Sequence, residues 1–250
     1  MVWRLIIGEG SIYWNMAIDE AMLVLHDKGL IPNTLRIYVM KPSGVTFGYF
    51  QRVDDAINLE FLRSKNIDYT RRITGGGAVY HDMNGEITYS IVAKIDNISR
   101  DILESYKIIC QGIVYAIEEF GLKAEYKPIN DVLVNGKKIS GSAQARKKQS
   151  LLQHGTLMYN TDLDILSNVI KIPKEKMQAH GIRSIRDRVT TLSIELGYNP
   201  GYKHIVQSLI SGFRKALSIE FKHQELTPME ITYAKKLVNK YRSKEWIFKR

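Results

Sequence analysis

The stretch RRITGGGAVYHD, residues 71–82, brings two arginines, three consecutive glycines and a His-Asp pair together within twelve positions. Adjacent glycines lose much backbone entropy on folding, so a folded chain that keeps three of them uses the missing side chains. Two uses fit. Successive N–H groups of Gly75, Gly76 and Gly77 can line a concave wall against phosphate oxygens or a flat ring, with Arg71 or Arg72 adding a charge-assisted fork. Alternatively, the glycines mark a bulge or tight crossing inside a sheet. The run is neither the GxxxxGK[ST] of a P-loop nor the GxGxxG of a dinucleotide fold.

A second stretch, NDVLVNGKKISGSAQ, reads as two strands joined through Asn135-Gly136, a dipeptide suited to a type I′ turn because both positions take positive φ. Lys138 lies just past that turn, where a lysine is ordinarily a solvated charge. Asp131 could hold a hydrated Mg²⁺ through one carboxylate, as nucleotide sites do. His81 and His154 read either as hydrogen-bonded structural histidines or as acid-base groups.

The elements that must position these residues follow from periodicity. SIYWNMAIDEAMLVLHDKG reads as a helix with Ser11 as N-cap and Gly29 as stop. TLRIYVM and GVTFGYF are short β-branched runs, followed by a helix over about residues 56–65 and an alternating strand, EITYSIVAKI. A long amphipathic helix runs from near Ser99 to Phe120. LLQHGTLMYN reads as a further strand, with helices near 162–170, 202–217 and 227–241. The mixture predicts an α/β (α+β) fold with a mixed, largely antiparallel central sheet flanked by helices, in one domain over residues 1–250.

Composition narrows the field. Hydrophobic residues at 44% and charged residues at 25% describe a folded globular chain. No apolar run is long enough to span a bilayer, so no membrane partner and a cytoplasmic location are expected. Cys110 is the one cysteine, which excludes a disulfide framework and a Cys-rich zinc site. The formal charge of +10 favours polyanions or acidic partners, but no dense basic block marks a nucleic-acid module, so none is expected.

RRITGGGAVYHD, followed about 50 residues later by NDVLVNGKKISGSAQ, resembles the lipoate-protein ligases, within the wider group that includes biotin ligases and octanoyltransferases. NMAIDEA, VTFGYFQ, LLQHGTL, IRDRVTTL and SKEWIF extend the likeness over nearly the whole chain. The resemblance implies a class II biotin/lipoyl ligase-like fold with a bifurcated pocket for an acyl chain and ATP. Arg72 matches a residue contacting the acyl carboxylate and phosphate region, and Gly75, Gly76 and Gly77 match the wall beside it. Ala78, Val79 and Tyr80 match an adenine-binding segment, with His81 a pocket residue there. Asn130 and Asp131 match an Asn-Asp pair near phosphate and Mg²⁺, and Lys138 matches the catalytic lysine. Thr74, Ser140, Gly141 and His154 are carried over as binding residues, and the acyl arm is expected along the first helix with Val45, Phe47 and Thr74.

The implied reaction is ATP- and Mg²⁺-dependent activation of lipoate, or octanoate, to acyl-AMP. The acyl group would then pass to a lysine of lipoyl domains of 2-oxoacid dehydrogenases and the glycine-cleavage H protein. Octanoyltransferase relatives sharing the KISGSAQ and LLQHG wording use a cysteine shortly before the hairpin. Here that region reads AEYKPIND, and Cys110 falls inside the long helix, where a core role suits it better, so ligation is the main expectation, with two alternatives open: octanoyl transfer from acyl carrier protein to lipoyl domains without ATP, and a non-catalytic basic binder of the same fold. The GRGR-type signature of biotin ligation is absent. By likeness to split, archaeal-type ligases, a C-terminal accessory domain is expected to be missing and supplied by a separate small polypeptide.

Overall fold

A computed structural model describes residues 1–171 and 185–249. Eleven strands run in chain order among these residues: β1 Val2–Gly10, β2 Thr34–Met40, β3 Gly44–Phe47, β4 Asp68–Arg71, β5 Val79–His81, β6 Glu86–Lys94, β7 Ala124–Lys127, β8 Asp131–Val134, β9 Lys137–Arg146, β10 Ser150–Met158 and β11 Glu220–His223. The principal helices are α1 Ile12–Asp27, α2 Val53–Ala56, α3 Leu59–Ser64, α4 Ile102–Glu118, α5 Leu163–Val169, α6 Leu192–Leu196, α7 Tyr202–Leu217, α8 Pro228–Arg242 and α9 Lys244–Ile247. None of the described helices is long and apolar enough to cross a membrane.

Eight strands form one sheet in the order β11-β1-β2-β6-β10-β9-β8-β7. Its β11–β1 and β1–β2 pairs are parallel and the rest antiparallel, as expected for a mixed, largely antiparallel sheet. Strand alternation divides β2 between two cores. Leu35, Ile37 and Val39 face α4 and α7 with Ile109, Ile113, Leu209 and Phe213. Tyr38 and Met40 face α1 and α8 with Ile18, Met22, Ala234 and Tyr241. The sheet is therefore covered on both faces, and β6 and β10 at its centre are buried along nearly their whole lengths.

Local chemistry sets the helix ends. Ser11 caps α1 by accepting from the Trp14 N–H, as its position predicts. Thr227 and Glu230 form a capping box at α8, and Glu230 also holds Arg4 of β1 in a buried two-pronged pair at 2.5 and 2.8 Å. The helix expected over about 56–65 is found as α3, starting later and preceded by the short α2, because Ile57 is extended and pairs with Ile170 instead of continuing the turn. β1 was not foreseen as a strand.

A small second sheet, β4-β3-β5, carries the arginine-glycine stretch on its rim. Its cluster joins Val45, Phe47 and Tyr80 to Val53, Leu62, Leu163 and Ile247. Thus the glycines lie in neither a bulge nor a strand. They form the connection between β4 and β5, at the seam between the two sheets.

Candidate active site

The seam holds a cleft of about 740 Å³. One wall is Gly76, Gly77, Ala78, Val79, Tyr80 and His81; the facing wall is Asn130, Asp131, Lys138 and Gly141. Met16 of α1 and His154 of β10 also line it. The two quoted stretches, separate in sequence, therefore share one cavity.

Lys138 faces this cavity because β9 carries a bulge. Leu133 pairs with Lys138 and Val132 with Ser140, so Ile139 has no opposite number. Gly141 and Ala143 line the cleft, and uninterrupted alternation would send Ile139 there and Lys138 into the core. The extra residue reverses both: Ile139 is fully buried in the main core and Lys138 lines the cleft. Its side chain lies across Gly141, where a methyl group would come within 2.6 Å of Nζ. Nζ stands 2.6 Å from Asp131 Oδ1, an ion pair without hydrogen-bond geometry, so that buried oxygen keeps unused acceptor capacity. Asn135 and Gly136 at the tip both have positive φ, as the turn requires.

The two arginines diverge by alternation. Arg71 is fully buried and donates to the carbonyls of Tyr49, Gln51, Trp246 and Ile247, fastening α9 to the 49–51 loop. Arg72 faces the cleft but is largely engaged by its own loop. Its Nη2 donates to Gly75 O and Gly77 O at 2.7 Å, and its Nε donates to Thr74 Oγ1 at 3.0 Å. Burial pulls its guanidinium down to about 10, still charged at neutral pH. Here Arg72 braces the glycine wall, and contact with a carboxylate or phosphate requires it to exchange those partners. Gly76 has φ +87° and presses against Gly48, where a methyl group would overlap the Gly76 carbonyl.

Behind Arg72 runs a buried chain. Thr74 Oγ1 is 2.7 Å from His154 Nε2, and His154 Nδ1 is 2.9 Å from Asp19 Oδ2. Asp19 also accepts from Tyr38 and Ser90 and pairs with Arg36 at 3.2 Å. A carboxylate only accepts, so His154 donates from Nδ1, and its Nε2 accepts from Thr74. Burial, aided by Arg72, pulls His154 below its ordinary value of 6.5 and keeps it neutral. Burial alone would raise Asp19, but His154, Arg36 and Tyr38 together hold it below 3.8. His81 is likewise buried, bonded to Thr46 at 2.9 Å and Glu86 at 3.0 Å.

Several expectations need correction. Val45 and Phe47 do not line the acyl arm; they face the smaller core, and Thr46 between them faces the cleft. Thr74 is fully buried behind the wall as a hydrogen-bond link. Ser140 is turned away from the cleft, its hydroxyl buried without a hydrogen-bond partner. Gly75 braces the wall through its carbonyl and does not border the space itself. Cys110, by contrast, is fully buried in the core as expected, beside Ser142 and Gln153, and burial pushes its thiol up to about 11. The sequence reading missed Asp19, Arg36 and Tyr38. The available signal was NMAIDE, in which Asn15 and Asp19 sit four apart on a helix face that is otherwise apolar.

Asp131 is suited to a cation held mainly by phosphates, since its Oδ1 has capacity left and one carboxylate suffices where substrate oxygens complete the shell. No cluster of three or more His, Cys, Asp or Glu side chains able to hold a metal alone occurs among the described residues.

The family model of the lipoyl protein ligase A/B catalytic domain matches residues 11–214, and the chain belongs to that family. It is 33% identical over 276 residues to octanoyltransferase LipM of Brevibacillus brevis, covering 99% of both chains. Among solved structures it is similar to a bi-partite lipoate protein ligase from Thermoplasma acidophilum, at 32% identity and a TM-score of 0.87, covering 99% of this chain and 96% of that one. It is also similar to lipoate-protein ligase A bound with ATP, at 30% identity, a TM-score of 0.87 and 99% coverage of each. The protein is thus an enzyme of the lipoate ligase and octanoyltransferase family.

Proposed function

We propose that this chain is a lipoate-protein ligase that activates lipoate or octanoate with ATP and transfers the acyl group to a lysine of a lipoyl domain. The carrying observation is that Lys138 supplies a cation inside the cleft, while Cys110 lies outside it with its thiol pushed up to about 11. A thioester route needs an accessible thiolate, and adenylation needs none. In the first step the carboxylate oxygen attacks the α-phosphorus and pyrophosphate leaves. Charge gathers on the nonbridging oxygens, where a cation fixed between acyl and phosphate groups acts preferentially in the transition state. Asn130 and Asp131 flank that position, and Asp131 would hold Mg²⁺, which neutralises the leaving phosphates when bound. In the second step the acceptor amine attacks the acyl carbonyl, AMP departs and the amine loses its proton.

A second reading, octanoyl transfer from a carrier protein without ATP, is favoured by the name of the Brevibacillus brevis relative. One assay decides: an acceptor lipoyl domain is weighed after incubation with MgATP and lipoate, and separately with octanoyl carrier protein and no ATP. Acylation in the first arm alone supports ligation; acylation in the second alone overturns it. Lys138→Ala is expected to abolish acyl-AMP formation with the fold retained, checked by mass spectrometry and circular dichroism. The acceptor reading is supported by the archaeal system, whose ligase is described with its E2 lipoyl domain. That ligase is called bi-partite, which also supports a separate small accessory chain here. Full-rate acyl-AMP formation by this chain alone would remove the accessory chain from the scheme.

A further inference from the structure

The bulge that aims Lys138 does not hold itself. β10 follows β9 only as far as the Gly155–Ser142 pair, so the strand beyond has a free side where the lysine sits. Residues 188–190 occupy that side. The Lys138 N–H donates to Arg188 O at 2.8 Å, the Thr190 N–H donates to Lys138 O at 2.9 Å, and Val189 pairs with Lys138 as a parallel bridge. Both backbone polar groups of Lys138 are therefore used by this one short segment, which itself lines the cleft through Arg188 and Val189.

The segment is latched at one side chain. Thr190 Oγ1, almost fully buried, donates to Glu195 Oε1 at 2.5 Å, and Asn135 Nδ2 at the hairpin tip donates to Glu195 Oε2 at 2.6 Å. Glu195 stands on α6, whose cap Thr191 adjoins the segment. One carboxylate thus ties the turn preceding Lys138 to the strand clamping it, and closes a ring through the lysine backbone.

We infer that Glu195 is a positioning residue for Lys138, working through Thr190 and Asn135 to fix the ammonium beside Asp131, on the side of the cleft that faces the glycine wall. The functional part of this inference rests on the proposed adenylation. A reaction that depends on placing a charge is sensitive to displacements of an ångström or less. Loss of the latch frees the bulged strand end without removing any group that touches substrate.

The test compares wild type, Glu195→Ala, Glu195→Gln and Thr190→Val by steady-state acyl-AMP formation and by amide hydrogen exchange over peptides containing Lys138 and Thr190. Glu195→Ala and Thr190→Val are expected to lower kcat on the order of tenfold, with KM for ATP and lipoate within about twofold. The same two variants should speed exchange at the Lys138 peptide and leave a peptide from β6 unchanged. Glu195→Gln should recover most of kcat and protection, because its amide can accept from Asn135 and donate to Thr190. Wild-type kcat and exchange in Glu195→Ala would overturn the inference, as would a uniform rise in exchange across the chain with no rescue by glutamine. If wild type forms no acyl-AMP even when assayed together with the small accessory chain, the proposed ligation fails. The exchange comparison then still upholds or overturns the latch.

Discussion

Asp19 shows how far a chemical site extends past the groups that border it. Its carboxylate is met by Arg36, Tyr38, Ser90 and His154, all buried, and through His154 and Thr74 it reaches the guanidinium that braces the glycine wall. Asp19→Asn leaves the buried Arg36 charge without its carboxylate, a change that typically costs about 3–5 kcal/mol. Urea denaturation should register that loss as a lower midpoint with an unchanged slope. At Cys110 the expectation is the opposite: Cys110→Ser should leave acyl transfer within about twofold while costing on the order of 1 kcal/mol for its buried hydroxyl. A collapse of transfer activity in a folded Cys110→Ser protein would return the octanoyltransferase reading. His154 was singled out by residue type, but Asp19, Arg36 and Tyr38 were not, because buried aspartate and arginine look like surface charges until their partners are known.

Between elements, the decisive contact is the one where Gly48 meets Gly76. Both belong to connections, and their closeness sets the distance between the small sheet and the glycine wall. Gly48→Ala should displace the wall, destabilise by roughly 1–3 kcal/mol as overpacking does, and raise KM for lipoate more than KM for ATP. Binding isotherms for the two substrates check it. The helices were legible because α1, α4, α7 and α8 each show a repeated apolar face with a usable cap or stop. The hairpin was legible from Asn135-Gly136. β1 escaped because it is buried without interruption from Trp3 to Ile6 and mostly half-buried from Ile7 to Gly10, so VWRLIIGEG lacks steady alternation. The bulge escaped as well: only the pairing of β8 with β9 reveals that Lys138 and Ile139 exchange faces. Thus the cleft's two walls could be named from sequence, and the geometry that turns one lysine into the cavity could not.

Taken whole, the molecule carries +10, and acidic acceptors should feel that field before they dock. Raising salt from about 0.1 to 1 M shrinks the screening length from roughly 10 to 3 Å. It should raise KM for an acidic lipoyl domain while leaving acyl-AMP formation comparatively unchanged. Acid should weaken the fold in a defined order. His154 and His26 are both held below the ordinary 6.5 by burial, so the unfolded chain takes up protons more readily there. Their stabilisation is complete above 6.5 and declines as pH falls below it. Asp19, held below 3.8, adds a further loss only as pH drops through and beneath that value. A urea midpoint that stays flat between about pH 7 and 5 would contradict the histidine assignment.

The adjacent arginines have a mechanical corollary. Arg71 grips α9 and Arg72 grips the glycine wall, so that helix and one wall of the cavity are joined through a single peptide unit. A load on α9, whether from a bound protein or an engineered fusion, reaches the substrate chamber without crossing the central sheet. Labels placed on that helix would act as strain gauges for what the chamber holds.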